Sequence, residues 1–410
     1  MRIVLISEIF CDGMGYLENV LPKYLAQQGA QVEVVASSLP PEHRQAASES
    51  TYQDFVNKRP PGIYPTSDGF RVHILPATKV AGHIRLAKLG KKLASLRPDV
   101  VQTMTPIGWI AVDAAWYRLA LKYRLFSGCH YHASVFPLAQ RPSNMLSPAY
   151  LKSFLQRTIH GRLASAVTEK YYAISPDCAD VATRFFGVPK DKLVVGPLGV
   201  DTDVFHPATA MGEESARPRL RMLLGFSERD IVCIYTGRFS EDKNPLLLAQ
   251  AIVRLADKGH AFKAVFVGNG PQAALIAECP GCVTHPFVPL GELADFYRSA
   301  DIGVWPAQES MSMLDAAACG LPVIANDQMQ AMERIEGNGV AYRLHDLDDL
   351  ERALLALEDG DVRRRLGSVG ARKMAGAYSW RSIAIRRLQD YEAVLRRKDV
   401  PAEANAVRTP

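Results

Sequence analysis

The sequence predicts an α/β protein of two doubly wound parallel-sheet domains facing each other across a cleft. Three observations carry this. The chain has 410 residues, more than one ordinary core accommodates and enough for two. Short apolar runs alternate with amphipathic stretches, the pattern of a parallel sheet covered by helices on both faces. After a segment rich in Gly, Pro and Asp at residues 197–207, the same alternation begins again.

In the first half, apolar runs predict strands at residues 2–7, 32–37, 70–75, 99–103, 171–175 and 193–195. Amphipathic stretches between them predict helices at 15–28, 84–96, 107–122, 150–163 and 176–186. Residues 40–69 are polar and proline-rich and read as a long loop. In the second half, strands are expected at 231–236, 264–267, 283–287, 302–305 and 323–325, with helices between them and further helices at 347–357, 363–375 and 381–396. The last helix has no strand after it, so it is expected to cross back to the first domain. The resulting division is 1–198, 199–380, a returning helix 381–398 and a tail 399–410.

Composition narrows the function. Hydrophobic residues make up 48% and charged residues 22%, as in a soluble globular protein. The net charge of +5 is uneven: residues 1–200 hold 23 Lys and Arg against 14 Asp and Glu, residues 201–410 hold 25 against 29. A basic first half suits an anionic acceptor or an anionic membrane surface. No basic stretch is interleaved with aromatics, which argues against nucleic acid. The apolar start is too short for a signal peptide, and no run approaches the roughly 20 apolar residues of a spanning helix. Seven scattered cysteines fit a reducing, cytoplasmic setting, with peripheral contact at the cytoplasmic membrane face as an option. Ile84, Leu86, Leu89, Leu93 and Leu96, beside Arg85, Lys88, Lys91 and Lys92, would be the membrane-facing stripe if that helix did not simply cover the sheet.

Two stretches of the second half read as the jaws of a diphosphate clamp. Gly237-Arg238 through Lys243-Asn244 follows a strand, so the Arg fork and the Lys point charge can meet above the sheet edge. Glu309-Ser310-Met311-Ser312 follows another strand and opens a helix that Ser310 or Ser312 can cap, leaving backbone N–H groups for an anion. Asp315 on that helix can accept from a ribose diol. Gly268 and Gly270 after a third strand permit close backbone approach. In the first half, Gly13-Met14-Gly15 follows the first strand. Glu18 stands where a dinucleotide fingerprint needs its third glycine, which rules against a nicotinamide cofactor but leaves a phosphate-approach turn. His130 and His132 sit near the edge of the fourth or fifth strand. Cys279, Cys282 and His285 have zinc-like spacing, but a structural zinc needs four ligands and no second pair follows. No clustered carboxylate site for a divalent cation stands out, so no metal and no cofactor is expected.

In their order these pieces resemble the retaining GT-B glycosyltransferases of glycosyltransferase family 4. The resemblance rests on Tyr172-Ala173-Ile174-Ser175, Gly187-Val188-Pro189, the 198–207 segment, Gly237-Arg238 through Lys243-Asn244, Phe287-Val288, Asp315-Ala316 through Ala325, and Tyr378-Ser379-Trp380. It implies a UDP- or GDP-linked sugar donor in the C-terminal domain and a glycan or lipid-linked acceptor in the N-terminal domain. Transfer would proceed with retention and without metal. Arg238 and Lys243 would neutralise the departing diphosphate, Asp315 would hold the ribose, Val288 would lie beside the base, and Gly15 would touch the phosphate from the opposite domain. His132 aligns best with the family histidine near the sugar, with His130 second. The chain departs from the family at its paired glutamates. Asp315 holds the second position and Ala307 the first, with Glu309 the nearest replacement. That departure keeps a non-catalytic nucleotide-sugar-binding homologue as an alternative, and a sugar-nucleotide epimerase of the same architecture is another. The sequence names no oligomeric state.

Overall fold

Residues 1–13, 15–39, 59–133, 136–140, 147–208 and 211–397 are described by the structure, a computed structural model. Strand β1 (Arg2–Ile6) is buried except at its first residue, as a central parallel strand should be. It pairs with β2 (Gln31–Ser37) on one side and β7 (Val100–Thr103) on the other. Beyond β2 lie β4 (Arg71–Leu75) and the antiparallel edge strand β3 (Gly62–Pro65); beyond β7 lie β8 (Arg124–Cys129), β9 (Thr168–Ala173) and β10 (Leu193–Val195). The second sheet has the order β13 (Cys282–His285), β12 (Phe262–Val267), β11 (Ile231–Thr236), β14 (Ile302–Trp305), β15 (Val323–Asn326), β16 (Gly339–Tyr342), all parallel. Strand order therefore reverses between β1 and β7 in one sheet and between β11 and β14 in the other. Such a reversal leaves a crevice at the carboxyl ends of the strands, where ligands of doubly wound sheets sit.

Several expectations need correction. The helix expected at 84–96 is split: β6 (His83–Leu86) pairs with β5 (Ala77–Val80) as a small hairpin, and the helix runs only Leu89–Leu96 after Lys88 adopts a left-handed conformation. Leu86, Leu89 and Leu93 are buried, so the stripe covers the sheet and is not free for a membrane. Strands β8 and β16 are additions. Residues 40–58 of the expected loop lie outside the described residues, but Gly62–Pro65 is a strand. The helix expected at 150–163 runs Pro148–Ser153, passes through a π-turn at Phe154–Thr158 and continues as Ile159–Ser165.

The final helix, Trp380–Arg396, does cross back. Trp380, Ile383, Ala384 and Tyr391 are buried in the same apolar cluster as Leu21, Tyr24 and Phe126 of the first lobe. Arg387 and Tyr391 both donate to Gln102 Oε1, at 2.8 and 2.6 Å, deep in that interface. The lobes are joined a second time where Asp201, beside the bridge of Val200 to Ser379, meets Lys23 and Tyr24 of the first lobe. Among the described residues no helix is long and apolar enough to cross a membrane.

Candidate functional site at the cleft edge

The turn after β11 is built on glycines. Gly237 and Gly268 have φ of 145° and 148°, which only glycine adopts without strain. A Cβ on Gly268 would lie 1.9 Å from the Gly237 carbonyl oxygen, so the turns after β11 and β12 can stack only through bare backbone. Gly237 N–H donates to Val267, Phe239 N–H to Asn269 and Gln272 N–H to Phe239, all at 2.9–3.0 Å, locking the two turns together. Gly270 serves the same stacking against Phe239.

This scaffold carries the cations. Tyr235 hydroxyl donates to the Arg238 carbonyl at 2.8 Å, and the Arg238 guanidinium is one-third exposed and only loosely paired to Asp242, at 3.4 Å. Lys243 Nζ donates to the backbone carbonyl of Glu309 at 3.3 Å, which ties the first jaw to the second. Burial holds the Lys243 pKa below its ordinary value; Arg238 adds to this, while Asp242 and Glu309 oppose it. Arg238 and Lys243 stand on the same turn between β11 and the helix that follows, and the Arg238 charge is among those that act on Lys243. Ser240 Oγ, in the same turn, and Gln272 Oε1, on the turn stacked upon it, are buried without a hydrogen-bond partner.

The second jaw differs from expectation in detail. The residue preceding the helix Ser312–Ala318 is Met311, with no capping oxygen. Ser312 Oγ accepts from Trp305 Nε1 at 3.1 Å and exchanges a 2.6 Å hydrogen bond with Ser310, so it anchors the helix to β14 instead of capping it. The backbone N–H groups of Ser312, Met313, Leu314 and Asp315 have partners within the turn, at Ser310 and Met311. Those of Ser310 and Met311 have none among the described residues, and these two remain for an anion.

Asp315 has no hydrogen-bond partner for its carboxyl among the described residues. Burial, reinforced by the Asp201 charge, holds that carboxyl well above the usual range. Val288 is buried in the second core. Glu309 does not aim its carboxylate at open space: it accepts from Ala331 N–H at 3.0 Å and pairs with Arg334 at 3.2 Å. The Ala307 carbonyl accepts from Asn326.

From the opposite lobe, a Cβ on Gly15 would come 3.2 Å from Leu290 Cδ1, so the turn after β1 faces the segment after β13. Gly13 has open space around it, and Met14 lies outside the described residues. The carboxyl ends of the two sheets therefore look at each other. His130 and His132 follow β8 and diverge. Burial, then Arg387 and His132, push the His130 imidazole down to about 4, in a pocket shared with Gln102, Trp380 and Arg387. His132 Nδ1 lies 3.1 Å from Asp177 Oδ2 and is more exposed.

His132 Nδ1, an Asp177 oxygen and Cys178 Sγ lie within 4.8 Å of one another. They make a poor metal site. Asp177 already accepts from Ser175 and from Ala133 N–H at 3.0 Å, and burial pushes the Cys178 thiol up to about 12. Cys279, Cys282 and His285 form no such group among the described residues.

Sequence reading missed Asp177, Asp201 and Glu8. Asp177 lies 45 residues from the histidine it holds, so no local spacing announces it. Glu8 stands two residues past the end of the first strand, and burial raises its carboxyl pKa; its place just beyond a strand's carboxyl end was the one available signal.

Comparison with known proteins agrees with this geometry. The family model described as Glycosyltransferase Family 4 matches residues 20–204, and that described as Glycosyl transferases group 1 matches residues 230–359. The chain is 26% identical to a D-inositol 3-phosphate glycosyltransferase of Xylanimonas cellulosilytica, over 94% of this chain and 93% of that protein. It is also 26% identical to an MMP alpha-(1->4)-mannosyltransferase of Mycolicibacterium hassiacum, over 97% and 99%. Its fold matches sucrose-phosphate synthase from Thermosynechococcus elongatus with a TM-score of 0.68 at 16% identity, covering 97% of this chain and 100% of that one. Anabaena HepE, solved in complex with UDP, matches with a TM-score of 0.64 at 16% identity, covering 96% and 100%. Two family models in chain order, full-length transferase relatives and the two-lobed fold lead to one conclusion: the chain belongs to glycosyltransferase family 4 and is a glycosyltransferase of GT-B fold.

Proposed function

We propose that the chain moves a sugar from a UDP- or GDP-linked donor to a glycan or lipid-linked acceptor, with retention and without a divalent metal ion. The observation that carries this is the shared neighbourhood of Arg238 and Lys243, tied to the second jaw through Glu309. As the bond from the anomeric carbon to the phosphate oxygen lengthens, negative charge grows on the departing diphosphate. Arg238 offers a bidentate fork and Lys243 a half-desolvated ammonium whose charge a diphosphate would stabilise. These cations take the role a metal ion has elsewhere. The free N–H groups of Ser310 and Met311 add two donors, and Asp315 accepts from the ribose.

The new bond forms from the acceptor oxygen to the same face of the sugar, and the acceptor proton passes to the departing phosphate oxygen. His132, with Nδ1–H given to Asp177, keeps Nε2 free to accept from a sugar hydroxyl. The names of the relatives, an inositol-phosphate glycosyltransferase and a mannosyltransferase, and the UDP complex of HepE support this reading.

Isothermal titration with UDP and GDP tests it. One of them binds, Arg238→Ala weakens that binding, and turnover persists in a chelator. Absence of binding by either nucleotide, or turnover that stops in the chelator and returns with a metal, overturns it.

A further inference from the structure

The second sheet has an opening at the end away from the cleft. A cavity of about 340 Å³ lies there, and Asp301 and Pro322, the residues just before β14 and β15, belong to its wall. Sites for small molecules run from about 300 to about 1,000 Å³, so this one has room for a compact ligand. Four arginines line it, Arg217, Arg298, Arg363 and Arg364, against one acid, Asp301.

The charges of the wall are not balanced within it. Asp301 is answered twice, by Arg217 Nη2 at 2.7 Å and by Arg221 Nη2 at 2.5 Å. Arg298 pairs with Asp295 at 3.1 Å and donates to the carbonyls of Val204 and His206. Arg363 meets carbonyls, those of Leu357 and Glu358, and both bonds use Nη1. Arg364 gives Nη2 to Asp361, and Asp359 is turned to the Asp361 N–H at 2.7 Å. Two nitrogens are left over. A Cβ on Gly360 would lie 3.3 Å from Arg364 Nη1 and 3.7 Å from Arg363 Nη2, and neither nitrogen has an acceptor among the described residues. Two guanidinium ends held over one backbone position repel each other unless an anion lies between them. Planar forks with free N–H groups suit the oxygens of a phosphate.

We propose that this cavity binds a small phosphorylated molecule, at a site separate from the diphosphate clamp. The clamp stands past the carboxyl ends of β11 and β14, the cavity at the amino ends of the same sheet. Residues 319–322 of the wall directly follow the helix Ser312–Ala318, whose other end is the second jaw. The inference goes beyond the transfer reaction and does not depend on it.

Calorimetric titration of the full chain with inorganic pyrophosphate tests it. Gly360→Asp sets a carboxylate beneath both guanidinium groups, and its Cβ meets only the ends of these flexible side chains. The parent is expected to bind one more pyrophosphate per chain than Gly360→Asp does. Arg364→Glu, at a side chain 75% exposed, repeats the test without touching the backbone. It is expected to lower affinity at this site about tenfold or more, while Arg238→Ala leaves the site filled. Equal stoichiometry in the parent and Gly360→Asp with full affinity in Arg364→Glu, or loss of all pyrophosphate binding in Arg238→Ala alone, overturns the proposal.

Discussion

Arg238 is one-third exposed and only loosely paired, so its removal should touch function far more than stability. Arg238→Ala is expected to lower kcat by about 10²–10³, the cost of losing one preorganised donor to a developing anion, while urea unfolding shifts by less than about 0.5 kcal/mol. Steady-state rates and unfolding curves check both. Asp315 should behave in the opposite way. Its folded carboxyl resists ionisation, whereas in the unfolded chain it ionises near about pH 4. Stability is therefore lost as pH rises from that value towards the raised folded one. Asp315→Asn does not titrate, so it should be more stable than the parent at neutral pH, the gap closing as pH falls to about 4, and it should bind ribonucleotide more weakly. Urea midpoints across that range read the first effect and titration with the nucleotide the second. These residues were legible because each lies in a short stretch directly after an apolar run. The His132–Asp177 contact was not, because a separation of 45 residues closes only when the sheet forms.

The turns after β11 and β12 act as one element, and Gly268 is where they touch. Gly268→Ala would put a methyl group 1.9 Å from a backbone oxygen at a φ of 148°. Backbone cannot yield as a flexible side chain can, so the two turns must separate. The expected loss is about 2–4 kcal/mol, with nucleotide affinity falling alongside because Arg238 and Lys243 ride on the displaced turn. Calorimetric melting and nucleotide titration on the same sample measure both. Most strands were readable for the reason these turns were: a continuous apolar run of Val, Ile and Phe ending in glycine has few other interpretations. The failures have equally local causes. In β8, Arg124, Ser127 and Gly128 break the apolar run, although Ser127 is buried and bonded to Thr103. In residues 84–96, a helical spacing of leucines runs through Ala87 and Lys88, and the left-handed Lys88 that separates hairpin from helix leaves no mark in hydrophobic periodicity.

For the whole molecule, the junction between lobes matters as much as either sheet. Asp201 is only 7% exposed, yet it holds Lys23 Nζ at 2.8 Å and the Tyr24 hydroxyl at 2.7 Å across the lobes, and its charge also raises the Asp315 carboxyl. One carboxylate thus couples the apposition of the lobes to the group proposed to hold the ribose. Asp201→Asn preserves shape and one acceptor but removes the charge, and Lys23 keeps a second partner in Asp203 at 3.3 Å. The expected stability loss is about 1.5–3 kcal/mol, that of a partly buried hydrogen bond to a charged group. Small-angle scattering should show a broader spread of lobe separations. With the Asp201 charge gone, Asp315 should ionise at lower pH, and the pH dependence of nucleotide affinity should move with it. A double-mutant cycle isolates the link: the Asp315→Asn stabilisation should be smaller in the Asp201→Asn background, giving an interaction energy above about 0.5 kcal/mol. Single effects that add within that margin would mean the two carboxylates do not sense each other, leaving the junction without an electrostatic hold on the nucleotide side of the cleft.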